Sequence, residues 1–257
     1  MNSLTDDDIA TVEDVPDSDA GINGASTFIL TGKDGSKFLY KIVPNEQKSE
    51  ILANVIDNVF GLNTQAPAVI NSNVSLSFLK DQGLNVRNLD YAVAKGGGHI
   101  QGWCQPDCTR WADLGGDKPA DDRDAERKRL QRGLIRNENF REQYHKNVLL
   151  DFIGGNWDRH GKNFMVTADN NFYGIDNGFL GGFREPFSNR DKSIEHAGTL
   201  FSNEHEGVMS RNPMYGLWEG TSNELADEAG AVFDRYFDMN KIKDIQNTFG
   251  MANRFEG

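Results

Sequence analysis

Three oxygen-bearing side chains near the middle of the chain are spaced so that they could act together. Asp158 and Asn163 lie five residues apart, and Asp176 follows thirteen residues after Asn163. A polar turn at residues 169–171 between two short apolar runs predicts a hairpin that would bring Asp176 back toward Asn163. Carboxylate and amide oxygens are hard donors that suit Mg²⁺ held against phosphates. The sequence therefore predicts that these three residues converge on one phosphate-binding point.

The same residue types are common in ordinary turns, because Asp, Asn and Gly tolerate turn conformations. An Asp-x-x-x-x-Asn spacing indicates little when it stands alone. Here the predicted hairpin and the Ile-Asp-Asn-Gly run after it make the combination specific. The spacing of Asp158 and Asn163 equals that in the kinase pattern H-R-D-x-x-x-x-N, in which a further acid follows downstream. The motif favours phosphoryl transfer over a turn that only connects two elements.

Two runs of sequence carry a family resemblance: GGNWDRHGKNFMV at residues 154–166 and YGIDNG at residues 173–178. They resemble the catalytic and metal-binding loops of the phosphatidylinositol 3-/4-kinase-like superfamily. They are also similar to the corresponding loop of the HipA-type bacterial protein kinases. The N-terminal half resembles the nucleotide lobe of the same family through Lys41, Glu50 and the GL…AP pattern at residues 61–67.

The resemblance extends over about residues 21–180 and implies an α+β protein with a two-lobe protein-kinase-like fold. The expected N-lobe has a small antiparallel sheet, and the expected C-lobe is mainly helical. Residues 1–20, with seven acids and no base, are predicted to be an acidic flexible tail. Residues 21–105 are predicted to form the nucleotide-binding N-lobe with its connector, and residues 106–257 the catalytic helical C-lobe.

The resemblance implies a catalytic role for each matched residue of the central motif. Asp158 would orient or deprotonate the acceptor hydroxyl, and Asn163 and Asp176 would bind Mg²⁺. Lys162 would touch the γ-phosphate of ATP. His160 would either assist catalysis or support the loop, since an imidazole with a pKa of about 6.5 can do both.

The resemblance also implies a set of nucleotide-binding residues. Lys41 would hold the α- and β-phosphates, and Glu50 would orient Lys41 by ion pairing. A strand Lys is also a common solvated residue, and a Glu at a helix N-terminus is favoured by the helix dipole alone. Residues 21–26 would cover the phosphates, and residues 96–104 would meet the adenine. The individual residues predicted for these two segments are Gly24, Ser26, Gln101 and Trp103.

Hydrophobic periodicity predicts the elements that would position these residues. Strands flanking a turn at residues 32–35, and apolar residues at helical spacing over residues 49–60, are typical of the expected nucleotide lobe. Residues 73–79 and 89–95 are predicted to be further strands. A buried helix is predicted to end at Gly154-Gly155, and a capping-box pattern over residues 221–224 predicts the start of a C-terminal helix.

Composition limits the partners and the compartment. The formal net charge of −12 argues against binding to nucleic-acid backbones or anionic membrane surfaces. No run approaches the roughly 20 apolar residues that a membrane span needs, and the acidic start is unlike a targeting peptide. We therefore expect a cytoplasmic protein without membrane insertion. The Cys104 and Cys108 pair lacks the second pair typical of a structural zinc site.

These observations predict an ATP- and Mg²⁺-dependent phosphotransferase that acts on a hydroxyl of a protein substrate. Three alternatives share the fold: a non-catalytic nucleotide-binding scaffold, an enzyme that transfers AMP, and a lipid kinase. Residues 179–220 contain no cluster of Lys and Arg suited to a phosphoinositide headgroup, which favours the protein substrate. Because the chain is short for a two-lobe kinase, a partner is expected to supply substrate recognition.

Overall fold

The computed structural model describes residues 5–14, 26–42, 47–65, 69–70, 74–82, 99–102, 108–116, 119–156, 159–178, 180–182, 214 and 217–250. The strands are β1 Ile9–Asp14, β2 Ser26–Gly32, β3 Lys37–Ile42, β4 Val69–Ile70, β5 His99–Gly102, β6 Cys108–Arg110, β7 Phe164–Thr167 and β8 Phe172–Gly174. The helices are α1 Gln47–Phe60, α2 Leu76–Asp81, α3 Ala120–Ile135, α4 Glu138–Gly154, α5 Ser222–Tyr236 and α6 Met239–Phe249. Short 3-10 turns lie at Asp6–Asp8, Trp111–Asp113 and Leu180–Gly182.

The first sheet has five antiparallel strands in the order β1-β2-β3-β5-β4. The predicted turn between β2 and β3 closes through the Gly32 N–H, which donates to the Ser36 carbonyl at 2.7 Å. Gly35 in this turn has a φ of 83°, a conformation that glycine adopts at no steric cost. Phe28, Leu30 and Tyr40 are buried on one face of the sheet. Lys41 follows Tyr40 on β3, so it belongs to the opposite face.

The acidic N-terminal segment contains a strand, so the prediction of a flexible tail is wrong for Ile9–Asp14. This strand pairs with β2, and Ile9 is buried against Phe28 and Leu30. The Asp6 carboxylate accepts hydrogen bonds from the Ser75 backbone N–H at 2.7 Å and from its hydroxyl at 2.6 Å. Composition indicates solvation of this segment, whereas pairing with a distant strand decides its structure.

The prediction of a strand over residues 73–79 is also wrong, because this segment enters helix α2. The Ser75 hydroxyl accepts a hydrogen bond from the Phe78 N–H at 3.1 Å, as an N-capping side chain does. Leu79 is buried in the cluster beneath the first sheet. The predicted strand over residues 89–95 lies outside the described residues.

Among the described residues, the second sheet and helices α3 to α6 lie between residues 108 and 249. Strands β6, β7 and β8 form an antiparallel sheet whose Phe164, Val166 and Phe172 pack on Phe140 and Tyr144 of α4. As predicted, β7 and β8 form a hairpin and α4 ends at Gly154, with Gly155 as a left-handed cap at φ 66°. The capping box at Thr221 and Glu224 is also confirmed.

The chain is an α+β protein with two small antiparallel sheets, which confirms the predicted class; its division into two lobes stays a prediction. Within the described part of the chain, no helix is both long enough and apolar enough to cross a bilayer.

Candidate functional site

An ion pair joins the first sheet to helix α1. Lys41 Nζ on β3 lies 3.3 Å from Glu50 Oε1 on the first turn of α1. The Glu50 side chain is fully buried and that of Lys41 is 14% exposed. A carboxylate without contact to water requires a cation or several donors to offset its desolvation. The structure therefore brings together Lys41, predicted to hold the nucleotide phosphates, and Glu50, predicted to orient Lys41 by ion pairing.

The buried Glu50 carboxylate is also bonded to the residue that follows Asp176. The Asn177 backbone N–H donates to Glu50 Oε1 at 3.1 Å, and Asn177 Nδ2 donates to Glu50 Oε2 at 3.0 Å. One residue earlier on α1, the Ser49 hydroxyl donates to the Leu180 carbonyl at 2.6 Å. The start of α1 is therefore tied to the segment on both sides of Gly178.

The β7–β8 hairpin brings Asn163 and Asp176 to the same end of the second sheet. The Ile175 N–H donates to the Asn163 carbonyl at 3.0 Å, directly beyond the paired residues Phe164 and Gly174. Asn163 is buried, whereas Asp176 is exposed. Asp176 has a φ of 56°, a left-handed conformation that is uncommon for a residue other than glycine and is often found at functional sites.

Arg159 braces both strands of this end of the hairpin. Its Nη1 donates to the Asn163 carbonyl at 2.5 Å and to the Ile175 carbonyl at 2.7 Å. Its Nε and Nη2 each donate to the Asp151 carboxylate of α4 at 2.9 Å. Burial lowers the pKa of the Arg159 guanidinium, but nearby carboxylates, Asp151 above all and Asp176 among them, outweigh burial and raise the pKa above its usual value. Arg159 is therefore a fixed cation that anchors the motif to α4.

Polar side chains close these contacts into a ring of hydrogen bonds. Gln65 Nε2 donates to Asn147 Oδ1 at 2.9 Å, and Asn147 Nδ2 donates to Asp151 at 3.0 Å. Arg159 then joins Asp151 to Asn177 Oδ1, and Asn177 Nδ2 returns to Gln65 Oε1 at 2.9 Å. A Cβ atom at Gly174 would collide with Asn147 and Gln65, so the ring requires glycine there. We refer to Gln65, Asn147, Asp151, Arg159 and Asn177 as the polar ring.

His160 and Lys162 differ from the polar ring in their exposure to solvent. Each side chain is exposed. The Lys162 backbone N–H donates to His160 Nδ1 at 3.2 Å, so Nδ1 is an acceptor here and the proton of a neutral imidazole lies on Nε2. The structure thus leaves both side chains accessible to a ligand at the loop surface.

The remaining predicted residues have limited or no structural description. Asp158, Gly24 and Trp103 lie outside the described residues. For Ser26 and Gln101 only the backbone is described: Ser26 pairs with Ile42 in the β2–β3 ladder, and Gln101 pairs with Leu39 across β3 and β5.

One family model matches the chain over part of the region that carries this geometry. The model of phosphatidylinositol 3- and 4-kinase matches residues 122–191, which include α4, Arg159, the β7–β8 hairpin and Asp176. The match supports the assignment of the chain to the phosphatidylinositol 3-/4-kinase-like superfamily. No curated protein matches the chain.

The oxygen donors at this end of the hairpin are of the types that suit Mg²⁺. Within the described ranges, no three His, Cys, Asp or Glu side chains are grouped so that they could hold a metal ion by themselves. Mg²⁺ commonly takes only one or two carboxylates from a protein and completes its shell with substrate phosphates and water. Asp176 and Asn163, whose backbones meet at the end of the β7–β8 hairpin, carry a carboxylate and an amide oxygen, the donor types that Mg²⁺ takes.

The sequence predictions did not include Gln65, Asn147, Asp151 or Asn177 of the polar ring, although a signal was present for the pair on α4. Asn147 and Asp151 stand four residues apart in a helix whose neighbouring residues Val148 to Leu150 are apolar and buried. Polar side chains on a buried stretch of helix need hydrogen-bond partners. Their spacing therefore indicated a polar contact inside the core.

Proposed function

We propose that the chain is an ATP- and Mg²⁺-dependent kinase that transfers the γ-phosphoryl group of ATP to a hydroxyl of a protein. The family match suggests a kinase, and the match is partial because it covers residues 122–191. The observation that carries the proposal is the Lys41–Glu50 ion pair, bonded through Glu50 to Asn177 beside Asp176. A strand Lys paired with a helix Glu, next to a metal-binding acid, is the arrangement that kinases require for activity.

In this proposal the described residues act by position and charge. Lys41 Nζ, fixed by Glu50, would lie against the α- and β-phosphates and offset their charge. Asp176 and Asn163 would hold Mg²⁺, which neutralises charge on the phosphate oxygens when it is bound. Lys162 would reach the γ-phosphate from the exposed surface of the loop.

The transfer itself breaks one bond and forms one bond. The bond between the γ-phosphorus and the bridging oxygen breaks, and the acceptor hydroxyl oxygen bonds to that phosphorus. ADP leaves with the bridging oxygen, and Asp158 takes the hydroxyl proton or orients the hydroxyl before the proton is lost. Most kinase catalysis is positioning and electrostatic stabilisation of this kind.

A phosphoinositide hydroxyl is the second candidate acceptor, because the matching family model is that of phosphatidylinositol kinases. A protein acceptor is preferred because residues 179–220 contain few and scattered Lys and Arg residues. An anionic headgroup on an acidic membrane surface is normally met by a cluster of such residues.

The test is intact-mass spectrometry of the purified chain after incubation with ATP and Mg²⁺, with nucleotide products measured in parallel. Separate reactions contain casein or phosphatidylinositol vesicles as acceptors. Asp176→Asn removes the carboxylate charge at the metal position. Asp169→Asn is the matched control, because Asp169 is an exposed residue in the β7–β8 turn at the other end of the same hairpin.

We expect ADP and phosphorylated protein from the wild type and from Asp169→Asn, and neither from Asp176→Asn. Phosphorylated lipid would move the acceptor to the second candidate, and AMP attached to protein would replace phosphoryl transfer by AMP transfer. Nucleotide binding without any transfer would favour a scaffold. A wild-type protein whose Tm does not respond to ATP and Mg²⁺ would contradict the proposed nucleotide site.

A further inference from the structure

Asn177 occupies the position where the two halves of the candidate site meet. It follows Asp176 directly and is fully buried. Its backbone N–H and its side chain both reach Glu50 of α1, while its side-chain oxygen accepts from Arg159 Nη2 at 2.6 Å. Asn177 therefore bonds to both Glu50 and Arg159.

The side-chain amide of Asn177 has its donors and its acceptor engaged at once. Nδ2 donates one hydrogen bond to Glu50 Oε2 and one to Gln65 Oε1, and Oδ1 accepts from the Arg159 guanidinium. An amide has two N–H donors on one side and an oxygen acceptor on the other. Here the two N–H groups face two acceptor oxygens, and the oxygen faces the Arg159 donor. A carboxylate at this position would place a second negative charge beside Glu50. An apolar side chain would remove the bonds that Glu50, Gln65 and Arg159 make to the Asn177 side chain.

Hydrogen bonds that involve a charged partner are the strong ones, and two of the bonds to the Asn177 amide are of this type. Lys41 bonds to Glu50 Oε1, and Asn177 Nδ2 bonds to the other oxygen, Oε2. The orientation of the Glu50 carboxylate, and with it the position of Lys41 Nζ, is therefore set from both of its oxygens.

We infer that Asn177 is a positioning residue that fixes the Glu50 carboxylate toward Lys41 and couples this ion pair to Arg159 and the Asp176 loop. The inference rests on the proposed function, because it assigns Lys41 to the nucleotide phosphates. It adds that the ion pair is held from the hairpin side as well as from α1. A change at residue 177 is therefore transmitted to Lys41 through Glu50, to which both residues bond.

The test replaces Asn177 by Leu, which has a similar volume and no hydrogen-bonding group. The readout is the Lys41 ε-methylene and ammonium signal in NMR spectra of lysine-labelled protein without nucleotide, identified by its loss in Lys41→Met. The affinity for ADP with Mg²⁺ is measured by titration calorimetry. Asn137→Ala is the matched control, because it removes the N-cap of α4 and destabilises the protein without touching Glu50.

We expect Asn177→Leu to shift the Lys41 signal and to weaken ADP binding about tenfold or more, as the loss of hydrogen bonds to charged partners implies. Asn137→Ala should leave both unchanged. If Asn177→Leu shows no cooperative unfolding transition, Gln65→Met replaces it. That variant removes the Gln65 bond to the Asn177 amide and the Gln65 bond to Asn147, but it keeps the Asn177 bonds to Glu50 and Arg159, so we expect a smaller shift of the same sign.

An unchanged Lys41 signal in the folded variant would overturn the inference. Equal shifts in Asn177→Leu and Asn137→Ala would also overturn it, because general destabilisation would then explain both. The Lys41 signal is read without nucleotide, so a wild type that fails to bind ADP contradicts the proposed function while the coupling from Asn177 to Lys41 is still decided by the spectra.

Discussion

His145 is a buried titratable group outside the candidate site. It lies on α4, is 1% exposed, and neither of its ring nitrogens has a hydrogen-bond partner among the described residues. Burial lowers its pKa from 6.5 to about 4; the Glu228 carboxylate opposes this change, and the Arg141 guanidinium adds to it. His145 is therefore neutral in the folded protein at pH values where it is charged in the unfolded chain.

This difference predicts a loss of stability in acid. Between pH 6.5 and pH 4 the unfolded state binds the proton and the folded state does not, so the free energy of unfolding falls as the pH drops through this window. The full loss from this one group is about 3 kcal/mol. In urea unfolding between pH 4 and pH 7, the free energy of unfolding of His145→Leu should depend less on pH than that of the wild type. His160→Leu, at an exposed histidine, is the control; equal pH slopes in the two variants would contradict the prediction.

At the residue scale, the sequence predicts contacts between site residues that are close along the chain. It does not predict contacts between site residues that only the tertiary fold brings together. Asn163 and Asp176 are joined by a short hairpin whose strands and turn are readable from the sequence. Gln65 and Asn147 bond to each other across 82 residues of chain, and no local pattern specifies such a pair. The exposed Lys162 and the buried Asn177 likewise stand in the same motif, and only the structure separates their environments.

Two helices are stabilised at their C-terminal ends by lysines from each other. Lys48 Nζ on α1 donates to the Phe249 carbonyl at the end of α6 at 2.8 Å, and Lys241 Nζ on α6 donates to the Val59 carbonyl near the end of α1 at 3.1 Å. The last carbonyls of a helix lack intrahelical partners and carry the negative end of its dipole. Each lysine therefore bonds to a carbonyl at or near the C-terminal end of the other helix and offsets the negative end of its dipole.

We expect Lys241→Met to lower the free energy of unfolding by about 0.5–1 kcal/mol at low salt, the usual size of a cation at a helix C-terminus. The effect should shrink in high salt, because both groups are exposed. Lys243→Met, at an exposed lysine on the same helix, should have little effect. Denaturant unfolding at two salt concentrations measures the free energy of unfolding of both variants. An equal loss of stability in Lys241→Met and Lys243→Met would exclude a capping contribution.

At the element scale, the sequence predicts a helix or hairpin when the segment itself contains the full apolar period and the turn residues. Helix α1 buries Leu52, Ala53 and Ile56 on one face at helical spacing, and it is predicted almost to its ends. Helix α2 is too short for such a period, and Ser75, which caps it, is held by Asp6 from the N-terminal segment. The acidic β1 needs β2 as a partner, so composition alone predicts the wrong state for it.

At the scale of the whole molecule, one apolar cluster spans the predicted boundary between the two lobes. Leu52 and Ile56 of α1 pack in the same buried cluster as Leu150 of α4 and Ile242 of α6. Helix α1 carries Glu50, so the residue that orients Lys41 stands on an element whose core contacts come from the C-terminal half. The sequence boundary at residues 105 and 106 therefore separates α1 from helices with which it shares a core.

This shared core predicts that a cavity at α6 loosens α1, the helix that carries Glu50 of the proposed nucleotide site. Ile242→Ala removes a side chain that is 1% exposed and should cost about 2–4 kcal/mol. We expect faster hydrogen exchange of the α1 amides in this variant, because α1 loses packing, and a smaller rise of Tm with ATP and Mg²⁺. Leu225→Ala on α5 is the matched control, since Leu225 is 3% exposed but lies in the cluster under the second sheet.

The two variants separate local loosening from general destabilisation. Comparable losses of stability with faster α1 exchange only in Ile242→Ala would show that α6 supports the helix that carries Glu50. Wild-type exchange of α1 in Ile242→Ala would contradict the coupling, because regions that open locally reflect their own packing. Glu50 and Ile242 would then be energetically independent, and α1 would be held by its other packing partners, such as Leu150 of α4.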